Sequence, residues 1–252
     1  MKARALLPWA VPVLLLGLWQ LAGSHDPAHP GPLPAPALVA RAGWELVVSG
    51  ELHRHAWISL QRAALGLLIG GGLGFVLGAA NGVWRVSETL FDTPVQMVRN
   101  VPHLALIPLT ILWFGLGDSG KVFLVALGVL FPVYANTFHG VRSVDPGLME
   151  MGRLFGLGRL ALFREIVVPG ALPSVLVGLR YALGLMWLSL IVAETIGSDT
   201  GIGYVAMNAR EFMRTDVVIF SILLYALLGK GADLVVRGLE RAALRWQPRF
   251  AR

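Results

Sequence analysis

Residues 145–159 read Asp145-Pro-Gly-Leu-Met-Glu150-Met-Gly-Arg-Leu-Phe155-Gly-Leu-Gly-Arg159, and the stretch closes with Glu165-Ile-Val-Val-Pro169-Gly-Ala-Leu-Pro173. It is a charged island between long apolar runs. The Asp145 carboxylate can cap a first helical turn, Pro146 suits the first helical position, and Gly156 and Gly158 offer the left-handed conformations that end helices. A short helix over 146–155 is therefore expected. A second, over about 160–167, is expected to end before Pro169, whose ring clashes with the carbonyl four residues back in a helix interior.

The flanks say what kind of molecule carries this island. The chain has 252 residues, 56% of them hydrophobic and 14% charged, with a mean hydropathy of +0.68. That is far more apolar than a soluble domain of this length and places the chain in a lipid bilayer. With no cysteine there is no disulfide frame and no thiolate metal site. The net charge of +6 matters through its distribution over the loops, and no nucleic-acid role is read from it.

A helix crossing about 30 Å of hydrocarbon needs about 20 mostly apolar residues. Six stretches qualify, at about 6–22, 56–80, 94–114, 122–138, 171–196 and 217–236. An even number puts both termini on one side. Twelve Lys and Arg fall in the segments on the side of the termini and the island, against five (Arg41, Arg54, Lys121, Arg210 and Arg214) on the other. The excess of positive charge marks the cytoplasmic side. The first stretch also has the charge and small-residue pattern of a cleavable signal, with Lys2 and Arg4 before it and Ala22, Gly23 and Ser24 after it. A Pro-rich connection at 25–36 and an amphipathic helix at about 37–49 follow, on the outside, within a segment of about 23–55.

Polar groups inside apolar runs carry the functional candidates. The second stretch is rich in glycine, with Gly66, Gly70, Gly71, Gly72, Gly74 and Gly78, and small residues at three- and four-residue spacing let helix backbones approach closely in lipid. The third is interrupted by Pro94, Pro102 and Pro108 and contains Arg99, Asn100 and His103. Broken backbone at membrane depth is tolerated only where protein or water satisfies it, so this segment is expected to face the bundle interior. Arg99 lies eleven residues beyond Glu88, about 16 Å along a helix and so near the midplane. A guanidinium there needs an anionic ligand or a protein counter-charge such as Glu194. Lys230 and Asp233 are spaced to pair, and 197–216 reads as an outside loop. No Gly-rich phosphate loop ending in Lys-Ser/Thr, His-Glu-x-x-His pair or Gly-x-Ser-x-Gly elbow is present. An intramembrane enzyme or a channel is the rival class, and each lacks a reason for a charged island of this form.

The order Glu150, Gly156, Ile166, Pro169 resembles the cytoplasmic loop signature of bacterial ABC importer permeases, with Met151 and Gly152 in place of two alanines and Val168 in place of leucine. The run 178–195, the run 201–212 and Leu227-Leu-Gly-Lys230 are similar to permeases of the aliphatic sulfonate subfamily, which includes taurine and nitrate permeases. The resemblance implies an all-α polytopic protein with six transmembrane helices, the type I ABC importer permease fold, as one transmembrane domain over 1–252. It implies a coupling loop at about 143–170 built on Glu150, Met151, Gly152, Gly156, Ile166 and Pro169. The implied partners are cytoplasmic ATPase subunits, which carry ATP and Mg, a periplasmic substrate-binding protein, a second copy of the chain and the lipid of the bacterial inner membrane. The chain would then have no catalytic or metal-binding residue and no cofactor of its own. Arg99, Asn100, His103 and Glu194 remain as translocation-path candidates.

Overall fold

A computed structural model describes residues 2–23, 26, 31–244 and 246. Residues 25 and 27–30 of the Pro-rich connection and the basic residues Arg245, Arg249 and Arg252 lie outside the described residues. Among those described, the elements are all helical. In chain order they are α1 (Lys2–Ala22), α2 (Pro36–Val48), α3 (Glu51–Gly66), α4 (Gly72–Val83), α5 (Arg85–Arg99), α6 (Ile107–Phe114) and α7 (Asp118–Arg142). There follow α8 (Pro146–Leu154), α9 (Arg159–Leu162), α10 (Val168–Thr195), α11 (Ile202–Glu211) and α12 (Thr215–Ala243). A π turn at Leu67–Gly71 joins α3 to α4, a second at Phe163–Val167 joins α9 to α10, and a 3₁₀ turn at His103–Leu106 precedes α6.

Four continuous helices are long and apolar enough to cross a membrane: Glu51–Val83, Asp118–Arg142, Arg159–Thr195 and Thr215–Ala243. The third apolar stretch is broken, as its prolines indicate, but begins earlier than residue 94: Arg85–Arg99 and His103–Phe114 meet at 79°. Pro102 and Pro108 supply no amide hydrogen to a helical ladder, so the chain leaves the helix at Asn100 and restarts at Ile107, while Pro94 is carried inside α5. The first stretch corresponds to a shorter apolar helix, Ala10–Ala22.

The chain divides into two compact units. In the larger, residues 60–193 and 227–252, the seam between α4 and α7 is set by glycine. A Cβ on Gly70 would overlap the Ala126 carbonyl, and one on Gly74 or Gly78 would run into the backbone of Leu130 or Tyr134. At its two ends Gly66 and Gly82 lie against the Val125 and Val141 side chains instead. This four-residue recurrence is one helix face, and backbone meets backbone along the middle of the seam. The same α7 meets α10 where Gly140 faces Ala171 and Ser174 and where Gly178 faces Pro132 and Asn136. Polar links then hang α5 on α7. Tyr134 Oη donates to Asp92 (2.6 Å) and accepts from Asn81 Nδ2 (2.8 Å), and Arg142 pairs with Glu88.

The smaller unit, residues 1–59 and 194–226, has a core of Ala42, Ala209 and Val217 with Leu46, Val205 and Val218 against it. Gly43 leaves room for the Phe220 ring, and Trp19 Nε1 donates to the Pro34 carbonyl at 3.0 Å. The segment read as a plain loop at 197–216 contains α11. Gly70→Ala is expected to destabilise the detergent-solubilised protein by about 1–3 kcal/mol, since backbone cannot move aside as a side chain can. Gly72→Ala, whose Cβ would meet nothing within 4 Å, is expected to leave thermal unfolding unchanged.

Candidate coupling site and polar sites along the spans

The island folds largely as its local signals require. Asp145 accepts from the Gly147 amide at 2.8 Å and Pro146 opens α8. Gly156 has φ +80°. Its amide donates to Arg153 O and that of Leu157 to Gly152 O, both at 3.0 Å, which is the paired closure that a left-handed residue after a helix permits. Gly158 is extended (φ −68°, ψ 167°) rather than left-handed, and starts α9.

The second helix does not end before Pro169, as expected from proline in a regular ladder. It passes through the Phe163–Val167 π turn into α10. The wider turn takes the carbonyls near Glu165 out of α-helical register, so that Pro169 enters where no α-helical bond from its nitrogen is required. Arg159–Thr195 is thus one helical path from the island into a span.

Gly152 is the packing pivot of the island. A Cβ there would come within 2.6 Å of Ile166 Cδ1 and 2.7 Å of Leu162 Cδ2. Met151, Gly152, Ile166 and Pro169 line one cavity of about 560 Å³, with Phe155 and Trp246 on its walls. Four of the six residues singled out therefore converge. Gly156 shapes the helix end beside them, and Glu150 is exposed on α8. The apex of α8 presents Leu154 and Phe155, 88% and 81% exposed, an apolar tip on a charged element.

The path candidates separate. Arg99 and Asn100 are exposed at the end of α5, which corrects the expectation that Arg99 is buried. His103 Nε2 lies 2.9 Å from Ser189 Oγ on α10. Gly128 of α7 is beside them, where a Cβ would come within 2.6 Å of Ser189 Oγ and 3.2 Å of His103 Nε2. Glu194 is buried and does not pair with Arg99. Its carboxylate accepts from Ser59 Oγ (2.8 Å), the Gly203 amide (3.0 Å) and Tyr225 Oη (3.1 Å). Ser59 Oγ accepts from the Ile202 amide at 2.9 Å, and His55 Nδ1 from the Gly201 amide at 3.0 Å. These groups satisfy the first amides of α11, with a carboxylate at its positive end. Gly201 is at φ +108°, and a side chain there would also strike that carboxylate, so the position requires glycine on both counts.

Arg62 escaped the sequence reading, and Lys121, counted there among the charges of a connecting segment, is inside α7. Arg62 is buried and donates to Asp118 Oδ1 from Nε at 2.9 Å, and buried Lys121 donates to the Leu116 carbonyl at 2.8 Å. A lone arginine in the second stretch was the available signal for the first, by the same argument that picked out Arg99. At the Glu194 node, Tyr225→Phe is expected to cost about 1.5–3 kcal/mol, since it removes a hydrogen bond to a buried carboxylate. Thermal unfolding measures the loss, and faster amide exchange over 202–211 would localise it.

Comparisons with known proteins follow the same lines. The family described as "Binding-protein-dependent transport system inner membrane component" matches residues 67–245. A protein of Escherichia coli (strain K12) named as an aliphatic sulfonates transport permease is 57% identical over 96% of this chain and 92% of its own length. One of the same name in Bacillus subtilis (strain 168) is 43% identical over 94% and 86%, and the taurine transport system permease of Escherichia coli 32% identical over 92% and 86%. Among solved structures, an amino acid ABC transporter with histidines has a TM-score of 0.64 at 18% identity, covering 81% of this chain and 97% of that one. An inward-facing methionine ABC transporter has a TM-score of 0.52 at 17% identity, covering 79% and 95%. At such identities the likeness is one of fold. The chain belongs to the inner membrane component family of binding-protein-dependent transport systems, membrane-spanning permeases of ABC importers that work with an ATPase and a binding protein.

Proposed function

We propose that this chain is the permease subunit of an ATP-driven importer of aliphatic sulfonates. The observation that carries the cargo class is the gradient of identity, 57% and 43% to the two permeases named for aliphatic sulfonates against 32% for taurine and 30% for nitrate. Both compact units are parts of one transmembrane domain in this reading. The termini and the island are cytoplasmic, in line with the twelve-to-five distribution of Lys and Arg, and a binding protein delivers ligand from the periplasm.

The island is the docking element for the ATPase, with α8 and its apolar tip entering a groove on that partner. Two copies of the chain, each with one ATPase, form the working unit. Closure of the ATPases on ATP draws the two islands together. Because α9, the π turn and α10 are one helical path, that movement is delivered directly to a span. ATP and Mg belong to the partner, and this chain supplies the path.

Along the path, Arg99, Asn100 and the His103 ring occur within five residues where the third span breaks. A sulfonate carries three oxygens that share one negative charge. A guanidinium stays protonated at any working pH and can meet two of them with parallel hydrogen bonds. Glu194 is assigned to holding α11 and not to the ligand.

Reconstitution with the ATPase and binding protein in vesicles tests the proposal. ATP-dependent uptake of ethanesulfonate is expected, resisted by excess nitrate and competed by other alkanesulfonates; nitrate uptake in place of sulfonate uptake would overturn the cargo assignment. Gly156→Val forces a β-branched residue into a left-handed conformation, and is expected to abolish uptake and ATPase association while the protein remains in the membrane. Arg99→Gln is expected to lower sulfonate uptake about tenfold or more through the loss of a charge-assisted hydrogen bond. Assembly and basal ATP hydrolysis are expected to stay near wild type.

A further inference from the structure

On the larger unit, α10 and α12 are tied by a charge cluster that has more cations than the tie requires. Arg180 of α10 alone reaches both carboxylates of α12, with Nη2 2.6 Å from Glu240 and Nε 3.3 Å from Asp233. Two further cations crowd Asp233 from its own helix, Arg237 Nε at 2.9 Å and Lys230 Nζ at 3.5 Å. Arg180 Nε is buried and makes no hydrogen bond, so Asp233 is oversubscribed. Arg241, one turn after Arg237, is exposed and makes no ion pair among the described residues. Three cations therefore meet two carboxylates, with the fourth, Arg241, one turn further along the helix.

The surplus charge is on the outer face. The side chains of Lys230 and Arg237 are 60% and 50% exposed. With Arg241 they recur at i, i+7 and i+11, one stripe of the helix. Beside that stripe, Leu227 and Leu234 are exposed, and between them and Leu239 the chain has Gly231 and Gly238, where a Cβ would meet nothing within 4 Å. The surface thus combines a column of cations that outnumbers its carboxylates with an apolar strip and a shallow channel lacking side chains. Water alone would satisfy the cations but not the strip, and an acyl chain alone would satisfy the strip but not the cations.

We infer that this face of α12 binds an anionic membrane lipid, its phosphodiester headgroup held by Lys230, Arg237 and Arg241 and one acyl chain lying along Gly231 and Gly238. Basic sites between transmembrane helices near the cytoplasmic surface suit such headgroups. The end of α12 is on the island's side of the bilayer, since Trp246 shares a cavity wall with Met151 and Ile166, and the assignment to the cytoplasmic leaflet rests on the orientation proposed above. Long basic side chains can bring their charges to the interface while their stems stay in hydrocarbon. The lipid would brace α12 against α10, the span that continues into the island.

The test uses the permease co-expressed with its ATPase, extracted in mild detergent and weighed intact by native mass spectrometry. Thermal unfolding is then followed after delipidation and addition of phosphatidylglycerol, phosphatidylethanolamine or soluble glycerol phosphate. Retained phosphatidylglycerol is expected on the wild type, with stabilisation by that lipid and not by the other two. The variant K230Q/R237Q/R241Q keeps Arg180 and so keeps the tie to Asp233 and Glu240. It is expected to retain about fivefold less phosphatidylglycerol for each cation removed and to lose the stabilisation. K230R is expected to behave as wild type.

Equal lipid retention by the triple variant would overturn the proposal. Equal stabilisation by glycerol phosphate would replace it with a site for soluble anions. A change in the number of permease copies per complex, with lipid retention unaltered, would make this face a contact between copies. Failure to assemble with the ATPase would count against the proposed function instead, because lipid retention is still readable on the permease alone.

Discussion

Where α4 and the π turn before it run along α7, Gly70, Gly74 and Gly78, a turn apart, bring two backbones together with no side chain between them. In water such a seam would contribute little, but in lipid apolar side chains gain nothing by leaving the solvent, and close backbone approach is one of the few sources of specific association. The other side of α7 then has a fixed position from which to work. Gly140 and Gly178 admit α10 to equally close range, Tyr134 and Arg142 reach Asp92 and Glu88 of α5, and Gly128 leaves space for the His103–Ser189 contact. The broken span and the span leading from the island are both referenced to one helix.

This dependence gives the island its mechanical meaning. In the function proposed above the island docks on the ATPase, and on a flexible tether it would absorb any displacement applied to it. Here α8 is locked against the next segment by Gly152, whose missing side chain lets Ile166 and Leu162 close in, and that segment continues as α10 without a loop. The π turn is the one irregularity on the route. It accommodates Pro169, and it is also where a helix can take up or release a residue of register at modest cost. At the other end of α10, Glu194 gathers Ser59, Tyr225 and the first amides of α11 into one hydrogen-bonded group.

How much of this was legible beforehand depended on the range of the interactions. The cap at Asp145, the start at Pro146 and the left-handed Gly156 follow from contacts within a few residues, and the sequence is enough to place them. The glycine face was visible as a four-residue recurrence, although not which helix it meets. Proline marked the break in the third span without giving its angle, since 79° is decided by packing. Glu194 was misread as a possible partner of Arg99 because its true partners come from 135, 31 and 9 residues away. The helix end before Pro169 was misjudged by assuming α-helical register, which a π turn evades, and Gly158 was read as ending a helix when it is the extended residue that starts the next. The cargo was carried by similarity to relatives and not by any geometry in the chain.

The chain contains no cysteine, so a single introduced thiol has no background, and Leu154 at the exposed apex of α8 is the place for it. The decisive measurement is cross-linking of Leu154→Cys to the co-expressed ATPase in membranes, with a yield that changes on adding ATP, alongside labelling of intact cells by a membrane-impermeant maleimide. The coupling account predicts a nucleotide-dependent cross-link and protection from the external reagent. Labelling from outside, or no cross-link in a complex that still transports, would contradict it.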